Sequence, residues 1–121
     1  MKNVLFLGQK AVSELPGFIN AFDICINPQL VNQITIGNYP RKIDEYLALG
    51  KPVIATKTMT MLSFAEHVYL AESKEEYVSL IAKAIAENSE LKSMERKKFA
   101  FNHTWENSVR EMKDEILSSL K

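Results

Sequence analysis

The stretch that decides the fold is Pro40-Arg41-Lys42-Ile43-Asp44-Glu45-Tyr46-Leu47-Ala48-Leu49-Gly50-Lys51-Pro52-Val53-Ile54-Ala55-Thr56. Pro40 suits the first turn of a helix, where a missing N–H leaves no hydrogen bond unmade. The helix is expected to run to about Leu49, with Tyr46 and Leu47 in the core and Asp44 facing solvent. Gly50 is a natural C-terminal stop, and Lys51-Pro52 leads into the strand Val53-Ile54-Ala55. Just upstream, Ile24-Cys25-Ile26 reads as a buried strand stopped by Asn27-Pro28. A strand, a polar loop over residues 28–39, a helix and a strand make one βαβ unit, and such a unit demands parallel pairing.

Working outward, Asn3-Val4-Leu5-Phe6-Leu7-Gly8 reads as a further strand, buried on both faces as parallel sheets require. Leu15, Phe18, Ile19 and Phe22 follow at helical spacing, with Ser13 as N-cap and Pro16 in the first turn. On the C-terminal side, residues 57–66 read as a loop with one helical turn. Val68-Tyr69-Leu70-Ala71 is a fourth short strand. Ser73 and Glu76 form a capping box that opens a helix with Tyr77, Leu80, Ile81, Ala84 and Ile85 on one apolar face. A second helix spans roughly 89–100. Thr104 caps a terminal helix carrying Trp105, Val109, Met112, Ile116 and Leu120 on one stripe. The expected strands lie near 3–8, 23–27, 52–56 and 67–71, and the last helices near 74–88, 89–100 and 104–120. This alternation is a single α/β domain, a Rossmann-like parallel sheet of about four strands with flanking helices.

Composition limits the chemistry. The 121 residues suit one domain, and fifteen basic residues balance fifteen acidic ones. Bulk charge therefore favours neither nucleic acid nor an anionic membrane. The single Cys25 makes no internal disulfide, which is compatible with a reducing cytoplasm. No apolar run reaches the roughly 18 residues of a spanning helix. His67 and His103 lack metal-ligand spacing, so no metal site is expected. The run Arg96-Lys97-Lys98 reads as a solvated face, or as a peripheral contact with an anionic membrane. Met59, Met61 and Met112 read as core filler or a masked interface.

Ligands of open parallel sheets bind beyond the carboxyl ends of the strands. The loop after Ile26 and the helix start at Pro40 would sit there. Unpaired N–H groups and the positive end of the helix dipole make that start a natural phosphate site. Arg41 and Lys42 add cations in the first turn, against the dipole, a local violation that an anionic ligand would explain. Glu45, one turn on, is placed to accept hydrogen bonds from ribose hydroxyls.

The stretch from Pro40 to Thr56 resembles the Pro-x-Lys-x-x-Glu-Tyr-Leu-Ala-x-Gly-Lys-Pro-Val-Val-Ala pattern of retaining glycosyltransferases of the GT-B fold, family 4 or group 1 type. Glu14-Leu15-Pro16-Gly17-Phe18-Ile19, Phe22-Asp23-Ile24-Cys25-Ile26-Asn27-Pro28, Val68-Tyr69-Leu70-Ala71 and Trp105 are similar to segments in the same order there. The resemblance implies the C-terminal, donor-binding part of such an enzyme. Glu45 would bind the ribose, and the amides, Gly37, Asn38 and Tyr39 of the loop, with Arg41 and Lys42, would face the diphosphate and sugar. The substrate would be a nucleotide diphosphate sugar, with no further cofactor. Many members carry a second glutamate where Gly37 stands here, which weakens the expected sugar contacts. The chain begins at what resembles the family's third strand, as if cut from a longer enzyme. Transfer to a hydroxyl acceptor would then need the missing N-terminal acceptor domain, or a second copy of the chain. Without the family's first strands, strand 3–8 is expected to pair directly with strand 24–26, or the open edges with another chain. The alternative is a non-catalytic flavodoxin-like or Rossmann-like binding or oligomerisation domain. A signalling receiver is disfavoured, because Leu7-Gly8-Gln9 and Ala55-Thr56 lack its acidic residues.

Overall fold

The computed structural model describes residues 3–30, 41–102 and 105–120, with side chains 105–108 left aside. The elements are α1 (Leu15–Asn20), β1 (Cys25–Asn27), α2 (Arg41–Ala48), β2 (Val53–Thr56), a 3-10 turn (Thr60–Phe64), β3 (Tyr69–Ala71), α3 (Lys74–Glu87), α4 (Glu90–Asn102) and α5 (Trp105–Ser119). The described strands form one parallel sheet in the order β1-β2-β3, with Cys25 opposite Val53 and Ile54 opposite Tyr69.

Alternation across the pleat sends successive side chains to opposite layers. Cys25, Val53 and Ala55 join Ile19 of α1, Ile43 and Leu47 of α2, Met61 and Phe64 of the 3-10 turn, and Ala100 of α4 in one core. Ile54 and Ala71 turn the other way and meet Ala84 of α3, with Ile24, Tyr69, Tyr77, Leu80 and Ile81 packed around them. The result is a three-layer arrangement of helices, sheet and helix. Ile43 and Leu47, four residues apart on one face of α2, are both fully buried. Each contributes about 1.5–3 kcal/mol by leaving water.

Two helix ends, the close of α2 and the start of α3, follow their sequence signals. The Gly50 N–H donates to the Leu47 carbonyl at 2.9 Å, and the Lys51 N–H to the Tyr46 carbonyl at 3.1 Å. This is a Schellman closure, with Gly50 in the left-handed region at φ +75°. At the start of α3, the Glu76 N–H donates to Ser73 Oγ at 3.2 Å, while Glu76 Oε2 accepts from the Glu72 N–H at 2.7 Å. The reach back is one residue longer than in a standard capping box. Replacing Ser73 with alanine should cost about 1 kcal/mol in a urea unfolding midpoint. An unchanged midpoint would show that Glu76 alone holds the end.

Several expectations are corrected. Residues 3–8 form no strand and do not pair with β1. Their apolar side chains stand in solvent, with Phe6 92% exposed. Strand residue types mark a preference, and a strand exists only where a ladder partner takes it up. Among the described residues the sheet therefore has three strands rather than about four. Helix α1 is capped at Glu14 without a side-chain bond, not at Ser13, and ends before Phe22. The segment read as a loop, 57–66, holds Phe64, which is fully buried and edge-on to Phe99 at 5.7 Å. Ile85, expected on the buried face of α3, is 58% exposed, because that helix lies over β2 and β3 through Tyr77, Leu80 and Ile81.

The terminal helix departs most from its amphipathic pattern. Val109, Met112, Ile116, Leu117 and Leu120 all remain exposed. Among the described residues no helix is long and apolar enough to cross a membrane.

Candidate functional site

At the carboxyl edge of the sheet, the chain leaves β1 at Pro28, β2 at Thr56 and β3 at Ala71. These exits enclose a cleft of about 540 Å³, lined by Pro28, Gln29 and Leu30 on one side, Ala71 to Lys74 on another, and Thr56 with Tyr77 at its base. Two other hollows lie at the amino edge, one around Tyr69, Glu87 and Arg96, the other around Gly50 and Asn88. Parallel α/β sheets bind ligands at the carboxyl edge, where strand ends and helix starts converge, so the first cleft is the candidate.

A chain of hydroxyls organises its floor. The Gln29 N–H donates to Thr56 Oγ1 at 2.9 Å, and Thr56 Oγ1 lies 2.6 Å from the Tyr77 hydroxyl. Tyr77 in turn donates to the Asn27 carbonyl at 3.5 Å. If Tyr77 gives its proton to Asn27, the Thr56 hydroxyl must give its own to Tyr77. Two side chains from β2 and α3 thus hold the backbone where the β1–α2 loop departs. Burial pushes the Tyr77 phenol above its usual pKa, opposed by the bond to Thr56. Lys57 and Glu72 make an ion pair of 3.0 Å across the ends of β2 and β3. Both are solvent-exposed, so the pair contributes less than about 1 kcal/mol.

The residues expected from sequence divide into two groups. Arg41 and Lys42 occupy the first turn of α2, and Glu45 stands one turn further on; all three are exposed. No ion pair joins their side chains to another described residue. Helical periodicity places Arg41 and Glu45 on one face, away from the buried Ile43 and Leu47. Gly37, Asn38 and Tyr39 lie outside the described residues. Asp44 is half-buried rather than solvent-facing. Tyr46 packs against the core, and burial raises its phenol pKa, with the neighbouring Cys25 and Glu45 adding to the effect.

Thr56 and Tyr77 were legible only in part. Thr56 ends the strand that the βαβ unit defines, which is a site position by topology. By sequence Tyr77 belongs to the apolar face of its helix, and only its hydroxyl's partners reveal a polar task. Cys25 is buried as expected, and its thiol is pushed up to about 11 by burial, against the pull of Lys51. It stays protonated near neutral pH and is a poor nucleophile. His67 lies against the Phe99 ring at 4.5 Å, a packing position. Among the described residues no cluster of His, Cys, Asp and Glu could hold a metal ion.

The basic run Arg96-Lys97-Lys98 is not one solvated or membrane-facing surface. Arg96 is 3% exposed and donates to the Gly50 carbonyl at 3.1 Å and to Asn88 Oδ1 at 2.8 Å. A helix turns each residue by 100°, so three consecutive cations cannot share one face, and the first of them turns inward to α2. Of the three methionines, Met61 is core, whereas Met59 and Met112 are exposed.

Comparison with family models, with curated proteins and with solved structures finds no match to this chain.

Proposed function

We propose that this chain binds the nucleoside diphosphate portion of a nucleotide-sugar at the carboxyl edge of its sheet, as the donor-binding part of a glycosyltransferase. The observation that supports this reading is the placement of Arg41, Lys42 and Glu45. They stand exposed on the helix that follows the β1 exit, while the opposite face of that helix is locked into the core. The first turn of α2 would meet phosphate oxygens with backbone N–H groups and two cations. Glu45, one turn along, would accept from the two ribose hydroxyls. The loop residues Gly37, Asn38 and Tyr39 complete the donor site in this reading.

In such an enzyme the glycosyl group passes to a hydroxyl acceptor as the diphosphate leaves, and N–H donors and cations aimed at the leaving group lower that barrier. The acceptor side would come from another domain or a second copy. The nucleotide-sugar is the substrate, and neither metal nor further cofactor enters the reading. A cytoplasmic setting fits the single, buried thiol.

Calorimetric titration of a nucleoside diphosphate tests the proposal. Glu45→Ala should weaken binding about tenfold, equivalent to ~1.4 kcal/mol. Because Glu45 is exposed, the unfolding midpoint should stay put. The 2′-deoxy nucleotide, which keeps only the 3′-hydroxyl, should bind more weakly to the wild-type chain and lose less than the ribonucleotide on the substitution. Absence of binding, or equal affinity in both proteins, overturns the site. The second reading, a non-catalytic association domain, draws on the exposed apolar stripe of α5 and the open sheet edge.

A further inference from the structure

We propose that the open edge of β1 is a strand-docking surface whose occupant is the segment Asn3–Gly8 of a second copy, exchanged reciprocally across a two-fold axis. The inference does not depend on the nucleotide reading. In parallel pairing, alternate residues turn their N–H and C=O toward opposite neighbours. The Cys25 N–H donates to the Pro52 carbonyl at 2.9 Å, so Cys25 and Asn27 address β2. The N–H and C=O of Ile26 therefore point to the far side, where the described sheet has no strand. The Ile26 side chain is itself 47% exposed, on the face where α3 lies mainly over β2 and β3. Backbone and side chain are left open at the same place.

The chain also carries a piece that fits. Leu5 and Phe6 are 80% and 92% exposed, in an apolar run of strand-forming type that has no ladder of its own. Handedness says where such a strand belongs. Ile19 of α1 packs with Ile43 and Leu47 of α2 on one face of the sheet. Crossovers between parallel strands are right-handed, so helices on the same face mean that successive strands advance in the same direction. A strand ahead of α1 then falls on the side of β1 away from β2, the open edge. In this structure the chain's own segment does not take that place, and it ends at Gly8, whose φ is +72°. The same segment from a second copy supplies identical side chains and hydrogen bonds. Exchange of an identical element is a low-cost route to a closed dimer. It also removes an unprotected edge, which would otherwise favour open-ended association.

Sedimentation velocity on the full chain, with hydrogen exchange followed at the Ile26 amide, tests this directly. The expected species is a dimer in which that amide exchanges roughly 100-fold more slowly than in a monomeric variant. Phe6→Lys and Leu5→Lys are the variants. Both side chains are exposed in the single chain, so neither change reaches the core, and far-ultraviolet circular dichroism verifies the fold. Each variant should sediment as a monomer with a fast Ile26 amide. A wild-type monomer with fast exchange overturns the proposal. So does a dimer that survives both substitutions, which would place the contact elsewhere, such as on α5. Slow exchange in a monomer also overturns it, by showing that the chain's own segment closes the edge.

Discussion

Gly50→Ala is expected to destabilise the domain by about 3 kcal/mol, seen as a lower urea midpoint at unchanged slope. Two independent costs combine. The backbone at Gly50 has φ +75°, and a side chain there costs roughly 1–2 kcal/mol. The added Cβ would also collide with Ser93 Oγ, and would stand 2.9 Å from Lys97 Cε and 3.1 Å from the Ser93 carbonyl oxygen. The carbonyl belongs to the α4 backbone and cannot swing aside, so α2 and α4 must separate. Overpacking of that kind typically costs about 1–3 kcal/mol. For a domain with total stability on the order of 5–15 kcal/mol, this is a large share. Gly17 is the internal control. A Cβ there meets nothing within 4 Å, and the residue sits inside helix α1. Gly17→Ala should be neutral or stabilising by about 0.5–1 kcal/mol. Equal effects at both positions would refute the packing argument.

Arg96→Ala should cost about 2–4 kcal/mol, although the residue belongs to a run of surface-type cations. Its guanidinium bridges the carbonyl at the end of α2 to Asn88 at the α3–α4 junction. Removing it leaves the buried Gly50 carbonyl without that donor, at about 1–3 kcal/mol, and leaves a void where the side-chain stem packed. Burial lowers the Arg96 pKa, yet arginine remains charged under any ordinary condition. Its stabilisation should therefore be flat with pH between 6 and 9. Arg96→Lys should recover only part of the loss, because an ammonium cannot span two acceptors with a planar fork. Lys98→Ala, one position from the turned-in face and exposed, should change stability by less than about 0.5 kcal/mol. Arg96 and Gly50 meet at one junction, so the double substitution should fall short of the sum of the two. Full additivity in a double-mutant cycle would contradict the shared contact.

Both predictions converge on the place where α2 ends and α4 crosses it. That junction sets the angle of α2, and with it the position of Arg41 and Lys42 at the opposite end of the helix and of Glu45 in its middle. Stability at Gly50 and the placement of the Glu45 side chain are thus linked through one helix of 8 residues.

Local chemistry was readable along the chain wherever a short-range rule applies. Gly50 marked the end of α2 because only glycine takes a left-handed backbone without penalty. Ser73 and Glu76 marked the start of α3 because their spacing lets each reach an unpaired N–H. The parallel sheet followed from a strand, a crossover helix and a strand too far apart for a hairpin. Arg41, Lys42 and Glu45 could be placed on α2 by type and spacing, and they are exposed because Ile43 and Leu47 take the buried face.

What only the tertiary structure decided is everything that depends on a partner distant in sequence. An apolar run at 3–8 has the composition of a buried strand, but pairing is a property of two segments, and the described sheet leaves that run in water. Arg96 looks like Lys97 and Lys98 until α2 supplies a carbonyl on one side of the helix. Tyr77 looks apolar until Thr56 and Asn27 stand within reach of its hydroxyl. The stripe on α5 promises a core contact that the described domain does not make. Hydrophobic burial and hydrogen bonding are pairwise and short-ranged, whereas the sequence records only one member of each pair.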